Sequence, residues 1–310
     1  MTDPLTLAHL TDVHLAPVSG FTVPNWRPKR VLGYANWMRG RRRIHRREVA
    51  DLLSADVRSM APDHIVVTGD LVNLGLAAEH AQAARWLAEL GPPSAVTVIP
   101  GNHDIYASRR DGRSCLTAWA PYLASDEFGL KIGVSGAGIF PAVRRVGGIA
   151  LIALNSAEPT PPFIAAGRLG REQREALTRA LAHPSIRELV RVVLIHHPPF
   201  AHQTSRRRGL RDARELQRIL VEYGAEIVLH GHEHTESLEW LQTRSGNVAV
   251  LGGASLSAAR PHKDEPLGRY NLFRITRQEG TISIEQTVRG FDSVTGGVRE
   301  LAHRALRAPA

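Results

Sequence analysis

Five short motifs carry side chains that bind cations through nitrogen and oxygen: Asp12-Val13-His14, Gly69-Asp70, Gly101-Asn102-His103-Asp104, His196-His197-Pro198 and Gly231-His232-Glu233-His234. Each follows a short apolar run. Residues i and i+2 of an extended segment face the same way, so Asp12 and His14 are expected to reach one ion together; His232 and His234 have the same spacing. Gly69 lets the chain turn sharply before Asp70. Three Asp or Asn oxygens and four imidazoles form a mixed donor set, which suits Zn, Mn or Fe rather than Ca. Seven donors exceed one tetrahedral shell. They suit two ions that share a carboxylate and stand about 3.5–4 Å apart. Any one of these motifs is common in surface turns; their order and their shared position after apolar runs set them apart.

The elements that must place these motifs alternate between β-rich and helical runs, which is the pattern of an α/β core. Strands are expected at 5–10, 64–68, 95–99, 149–154, 190–195 and 227–229. Helices are expected at 45–60, 77–90, 171–182 and 212–223, where apolar residues recur at helical spacing. From Ser237 onward the period is that of strands, at 238–242, 248–251, 270–276 and 281–288. In open α/β sheets ligands collect at the carboxyl ends of strands, so the five motif loops should converge. The chain is read as a single domain over 1–295, with a basic aromatic insert at about 20–47 and a tail at 296–310, short helix or frayed.

The five motifs together resemble those of the calcineurin-like metallophosphoesterases, and they span residues 12 to 234. The resemblance implies a four-layer αββα sandwich, with two mixed sheets flanked by helices and two divalent metals at the rim. It implies that Asp12, His14 and His234 hold one metal, that Asn102, His196 and His232 hold the other, and that Asp70 is shared. The form is similar to the bacterial class III cyclic-nucleotide and broad-specificity phosphodiesterases. The implied reaction is phosphodiester hydrolysis by attack of a metal-bridging hydroxide on a small phosphorylated substrate. His103 is then placed to donate a hydrogen bond or proton to the phosphate or leaving group, with Asp104 orienting its imidazole. His9, His64, His80 and His183 lack a partner motif and read as structural or exposed. His197 and His230 should point away from the ions, because adjacent extended residues face opposite sides.

Charge adds a second feature. The formal net charge is +9, yet nine Arg or Lys residues and no acid lie between Arg27 and Arg47, and the rest of the chain is balanced. This run also holds Val31, Leu32, Tyr34, Trp37, Met38 and Ile44, with Gly33 and Gly40 expected to weaken a continuous helix. Three readings are open: a solvated face, peripheral contact with an anionic membrane through 26–47, or contact with nucleic acid. A second cluster, Arg206-Arg207-Arg208, follows the His196 motif and is a candidate for substrate phosphate. The lone cysteine, Cys115, excludes an internal disulfide framework. No secretory leader or membrane-length apolar run is evident, so the expected location is cytoplasmic, with the inner membrane face as a peripheral site. Alternatives to the small diester are a lipid-linked pyrophosphate or diester, a nuclease substrate, and a binding protein without turnover. Oligomeric state is not legible.

Overall fold

A computed structural model describes residues 4–107, 109–134, 138–278 and 281–308. In chain order the strands are β1 (Leu5–Leu10), β2 (His64–Val67), β3 (Val96–Val98), β4 (Ala142–Val146), β5 (Ile149–Ala153), β6 (Val190–Leu194), β7 (Ile227–His230), β8 (Ser237–Thr243), β9 (Gly246–Gly252), β10 (Arg269–Gln278), β11 (Thr281–Phe291) and β12 (Val298–Ala305). They form two six-stranded sheets, ordered β12-β11-β10-β1-β2-β3 and β4-β5-β6-β7-β9-β8. Both are mixed. β1, β2 and β3 run parallel while β10 pairs antiparallel to β1; β5, β6, β7 and β9 run parallel between antiparallel β4 and β8.

Alternation along the strands builds four layers. In β5, Ile149, Leu151 and Ala153 face the opposite sheet, while Ala150 and Ile152 face the helices Arg171–Ala182 and Ala213–Tyr223. In β1, Leu7 packs between the sheets, whereas Ala8 and Leu10 meet Leu53 and Val57 of helix Arg47–Ser59 and Trp86 and Leu87 of helix Ala77–Leu90. Buried residues on both faces of the central strands are what parallel sheets covered by helices require. The architecture is the expected αββα sandwich.

Two expectations change. The stretch expected as a tail is an edge strand: β12 pairs antiparallel with β11 from Phe291↔Val298 to Glu285↔Ala305. Its side chains are mostly exposed, so no apolar alternation announces it. The basic insert is helical almost without a break, through Pro28–Asn36, a π-helical turn at Trp37–Arg41 and Arg42–Ile44. Gly33 does not weaken it, because the residue faces inward against the Tyr106 hydroxyl, where a side chain would collide. Arg30 is buried beneath the helix and donates to the carbonyls of Leu74 (3.1 Å) and Gly75 (2.6 Å).

Candidate metal centre

All seven expected donors meet beyond the carboxyl ends of β1, β2, β3, β6 and β7, and their backbone is unusual. Asp12, His14, Asp70, His232 and His234 have φ of 50°, 43°, 55°, 76° and 56°. Only eight non-glycine residues among those described have positive φ, so five of the eight are expected metal donors. Side chains there cost of order 1–3 kcal/mol each and persist where the surroundings over-determine them. Convergence of Asp12 with His14, and of His232 with His234, therefore does not come from strand alternation. The chain has left the strand and coils back over the sheet.

Cross-bonds hold the coiled loops. The N–H groups of Asp12 and His14 donate to the carbonyls of Gly69 (3.0 Å) and Asp70 (2.9 Å), and Gly231 N–H donates to the His196 carbonyl (3.1 Å). Gly231 packs against the side chains of Thr11 and Asp12, leaving no room for a Cβ. One Asp12 oxygen, Oδ2, accepts from His232 N–H (2.9 Å) and the Thr11 hydroxyl (2.8 Å). Its other oxygen, Oδ1, is buried and faces His234 Nε2 at 3.2 Å.

The donor atoms fall into two adjoining groups. Nε2 of His14 lies 3.2 Å from Nε2 of His234, 4.0 Å from Asp12 Oδ1 and 3.9 Å from Asp70 Oδ2. Nε2 of His196 lies 3.2 Å from Asn102 Oδ1, 3.3 Å from His232 Nδ1 and 3.4 Å from Asp70 Oδ2. Asp70 Oδ2 thus belongs to both groups, while its Oδ1 is engaged by His103 N–H at 2.7 Å.

The opposite ring nitrogens show that this set fits cations. His14 Nδ1 donates to the Val72 carbonyl (3.1 Å), His196 Nδ1 to the Thr68 carbonyl (2.7 Å), and His234 Nδ1 to the Glu265 carboxylate (3.1 Å). Each bond fixes the tautomer that aims an Nε2 lone pair into the centre, which is how metal-binding imidazoles are held. Without a cation, burial opposes protonation of His196 and His234, yet Asp70 and Asp12 outweigh it and raise both rings to about 9. Burial would also raise the Asp12 carboxyl, but His234 draws it below its ordinary range.

His103 sits at the rim, with Nδ1 on the Asn73 carbonyl at 2.6 Å. Burial lowers its pKa to about 4 despite the pull of Asp70, so the ring is neutral at pH 7. Asp104 corrects the expectation that it orients this imidazole. Its buried carboxylate accepts the backbone N–H groups of Asp70 (2.9 Å), Leu71 (2.9 Å), Val72 (3.1 Å) and Gly101 (2.8 Å). Residue 104 lies beyond the turn, facing into the loops and away from the cavity.

Of the arginine cluster, only Arg208 lines the cavities beside the centre. It turns back to the His232 carbonyl (3.1 Å) and Glu233 (3.4 Å), whereas Arg206 and Arg207 are exposed on the turn that Arg208 and Gly209 close onto the Ser205 carbonyl. His9, His64 and His80 are buried and hydrogen-bonded to Thr68, Thr97 and the Asp104 carbonyl. His197 turns away, between the Ser156 hydroxyl and the Ala165 carbonyl.

Three participants carry no legible motif. Arg41, on the insert's π turn, donates to Nε2 of His14 (3.1 Å) and of His103 (3.2 Å). His45 is buried against His14, with ring centroids 4.7 Å apart and Nδ1 on the Ser257 hydroxyl at 2.9 Å. Glu265 supports His234 from a loop far along the chain. The insert thereby forms one wall of a cavity of about 310 Å³ over the centre, lined also by Asn102, His103, Arg208, His232 and His234.

Known proteins share this fold. The structure resembles that of a dimetal phosphatase from Danio rerio, with a TM-score of 0.59 at 14% identity, covering 96% of this chain and 99% of that one. It also resembles a 5'-nucleotidase precursor from Thermus thermophilus, with a TM-score of 0.52 at 17% identity, covering 98% of this chain and 54% of that one. In sequence, the chain is 25% identical over 220 residues to a probable cyclic nucleotide phosphodiesterase from Synechococcus sp. (strain ATCC 27144 / PCC 6301 / SAUG 1402/1), covering 70% of this chain and 74% of the relative. The family pattern described as calcineurin-like phosphoesterase matches residues 5–236, and the chain belongs to that family.

Proposed function

We propose that the chain hydrolyses phosphodiesters at a two-cation centre, with Asp12, His14 and His234 around one ion, Asn102, His196 and His232 around the other, and Asp70 shared. The observation that carries this reading is the position of Asp70 Oδ2 between His14 Nε2 and His196 Nε2, at 3.9 and 3.4 Å. The nitrogen and oxygen donors favour Mn, Fe or Zn. When bound, a pair of such cations supplies the charge that acidifies water and neutralises phosphoryl oxygens.

The chain's own residues bind and orient. Arg41 now spends its donors on two imidazole nitrogens, and among the described residues it has no carboxylate partner. With a cation held at His14 Nε2, Arg41 would lose one of those acceptors. Its guanidinium would then be free to meet a non-bridging phosphoryl oxygen, a better match for its charge. That movement also uncovers His103 Nε2, which faces the leaving oxygen. A phosphodiester's negative charge beside the ring favours uptake of a solvent proton at Nε2; that proton passes to the departing alkoxide and leaves the neutral ring with its Nδ1–H on the Asn73 carbonyl. Asn102 and Arg208 close the cavity on the other side.

Cyclic nucleotides are the first natural class to examine, given the named activity of the Synechococcus relative. The test is turnover of bis(4-nitrophenyl) phosphate and of a panel of cyclic and linear nucleotides by protein stripped and reloaded with Mn, Zn or Fe. Metal-dependent cleavage of one P–O ester bond per diester is expected, releasing 4-nitrophenol from the model diester and opening a cyclic nucleotide to its monoester. Inertness toward every diester with each metal would contradict the proposal.

A further inference from the structure

We infer that the basic insert docks on an anionic lipid surface, independently of which phosphoester the centre hydrolyses. Ten large apolar side chains stand exposed among the described residues, and five of them, Val23, Trp26, Val31, Leu32 and Met38, fall within this one segment. Val23 and Trp26 are 71% and 64% exposed. With Val31 they line a shallow groove floored by Phe21 and Tyr34, whose rings stack at 4.5 Å. Stacked aromatics and the burial of Arg30 make the groove a firm platform rather than a loose loop. The same segment carries Arg27 at the start of its helix and Arg39, Arg42 and Arg43 at its end, all exposed and without carboxylate partners among the described residues. No acid interrupts residues 27–47.

Exposed apolar side chains and unpaired arginines on one short helical segment match the boundary between headgroups and acyl chains of an anionic bilayer. The apolar groups enter the boundary while the cations meet lipid phosphates. A second copy of the chain fits poorly, because a two-fold contact would press this arginine cluster against itself. Nucleic acid would satisfy the arginines but leave Val23, Val31 and Met38 without partners. The same helix supplies Leu32, Gly33, Asn36 and Arg41 to the cavity beside the metal centre, so docking brings the mouth of that cavity close to the lipid surface.

The test is sedimentation of the metal-loaded full chain with vesicles of phosphatidylcholine, alone or with roughly one phosphatidylglycerol in four. Wild-type protein should pellet with the anionic vesicles only, and high salt should release it. Arg27→Gln/Arg39→Gln/Arg43→Gln should weaken binding about a hundredfold, and Trp26→Ser/Val31→Ser/Met38→Ser about tenfold or more. Unchanged melting temperature and metal content would show that both variants fold. Should either fail to fold, quenching of wild-type tryptophan emission by brominated lipid reads the same contact, and quenching is expected. The inference is overturned if wild-type protein stays in the supernatant at low salt, if the serine variant binds as well as wild type, if brominated lipid leaves the emission unchanged, or if single-stranded DNA binds more tightly than the vesicles.

Discussion

The Asp104 carboxylate accepts the backbone N–H of Asp70 at 2.9 Å, and with the same two oxygens it holds Leu71, Val72 and Gly101. It is a staple between two loops, one carrying Asp70 and the other Asn102. Burial and the nearby Asp70 charge push its carboxyl upward, while four N–H donors favour the ionised form. Asp104→Ala would orphan four buried donors and should cost about 3 kcal/mol of stability or more. Metal content and turnover should fall together. An Asp104→Ala protein with normal metal content and a normal melting temperature would contradict the staple.

His103→Ala is expected to separate chemistry from assembly. Its Nδ1 is satisfied by Asn73 and its Nε2 faces the cavity, so removal should leave the cations in place. The rate should drop by about 100-fold or more, as for loss of a positioned acid. Substrates with good leaving groups should suffer least. Loss of metal in this variant would make His103 structural.

Arg41→Gln should raise KM by about tenfold or more and weaken orthophosphate binding to the metal-loaded protein, with both cations retained. Arg41→Lys should recover only part of the loss, because a lysine lacks the planar fork. Direct titration with orthophosphate checks this without turnover. Unchanged phosphate affinity in Arg41→Gln would remove the residue from substrate binding.

The pH dependence follows from His196 and His234, both raised to about 9 in the metal-free protein. A folded-state pKa above the unfolded value of 6.5 stabilises the metal-free fold fully below that value, and this contribution is lost as pH rises through 9. Cations require the neutral rings, so their affinity should climb over the same interval. Calorimetric titration at pH 7 in buffers of different ionisation enthalpy should show about two protons released per chain on loading. Metal uptake without proton release would contradict the protonated pair.

The donors are more legible in the sequence than their surroundings, for a physical reason. Asp12, Asp70, Asn102, His196 and His232 each follow a buried strand, and a run such as Val190–Leu194 declares itself by composition. Arg41, His45 and Glu265 reach the same centre from a helix and a loop whose local sequence serves other needs. His45 is held there by its bridge to Ala258 and its bond to Ser257, contacts more than 200 residues apart in the chain. Strand β12 stays hidden because an exposed edge needs no apolar alternation. The left-handed backbone at Asp12, His14, Asp70, His232 and His234 is hidden too, since only glycine advertises such geometry.

The centre itself is tested most directly by anomalous scattering from crystals of Mn-loaded protein. The account predicts two peaks about 3.5–4 Å apart, one against Asp12, His14 and His234, the other against Asn102, His196 and His232, with Asp70 touching both. A single peak, or two peaks that do not share Asp70, would contradict it.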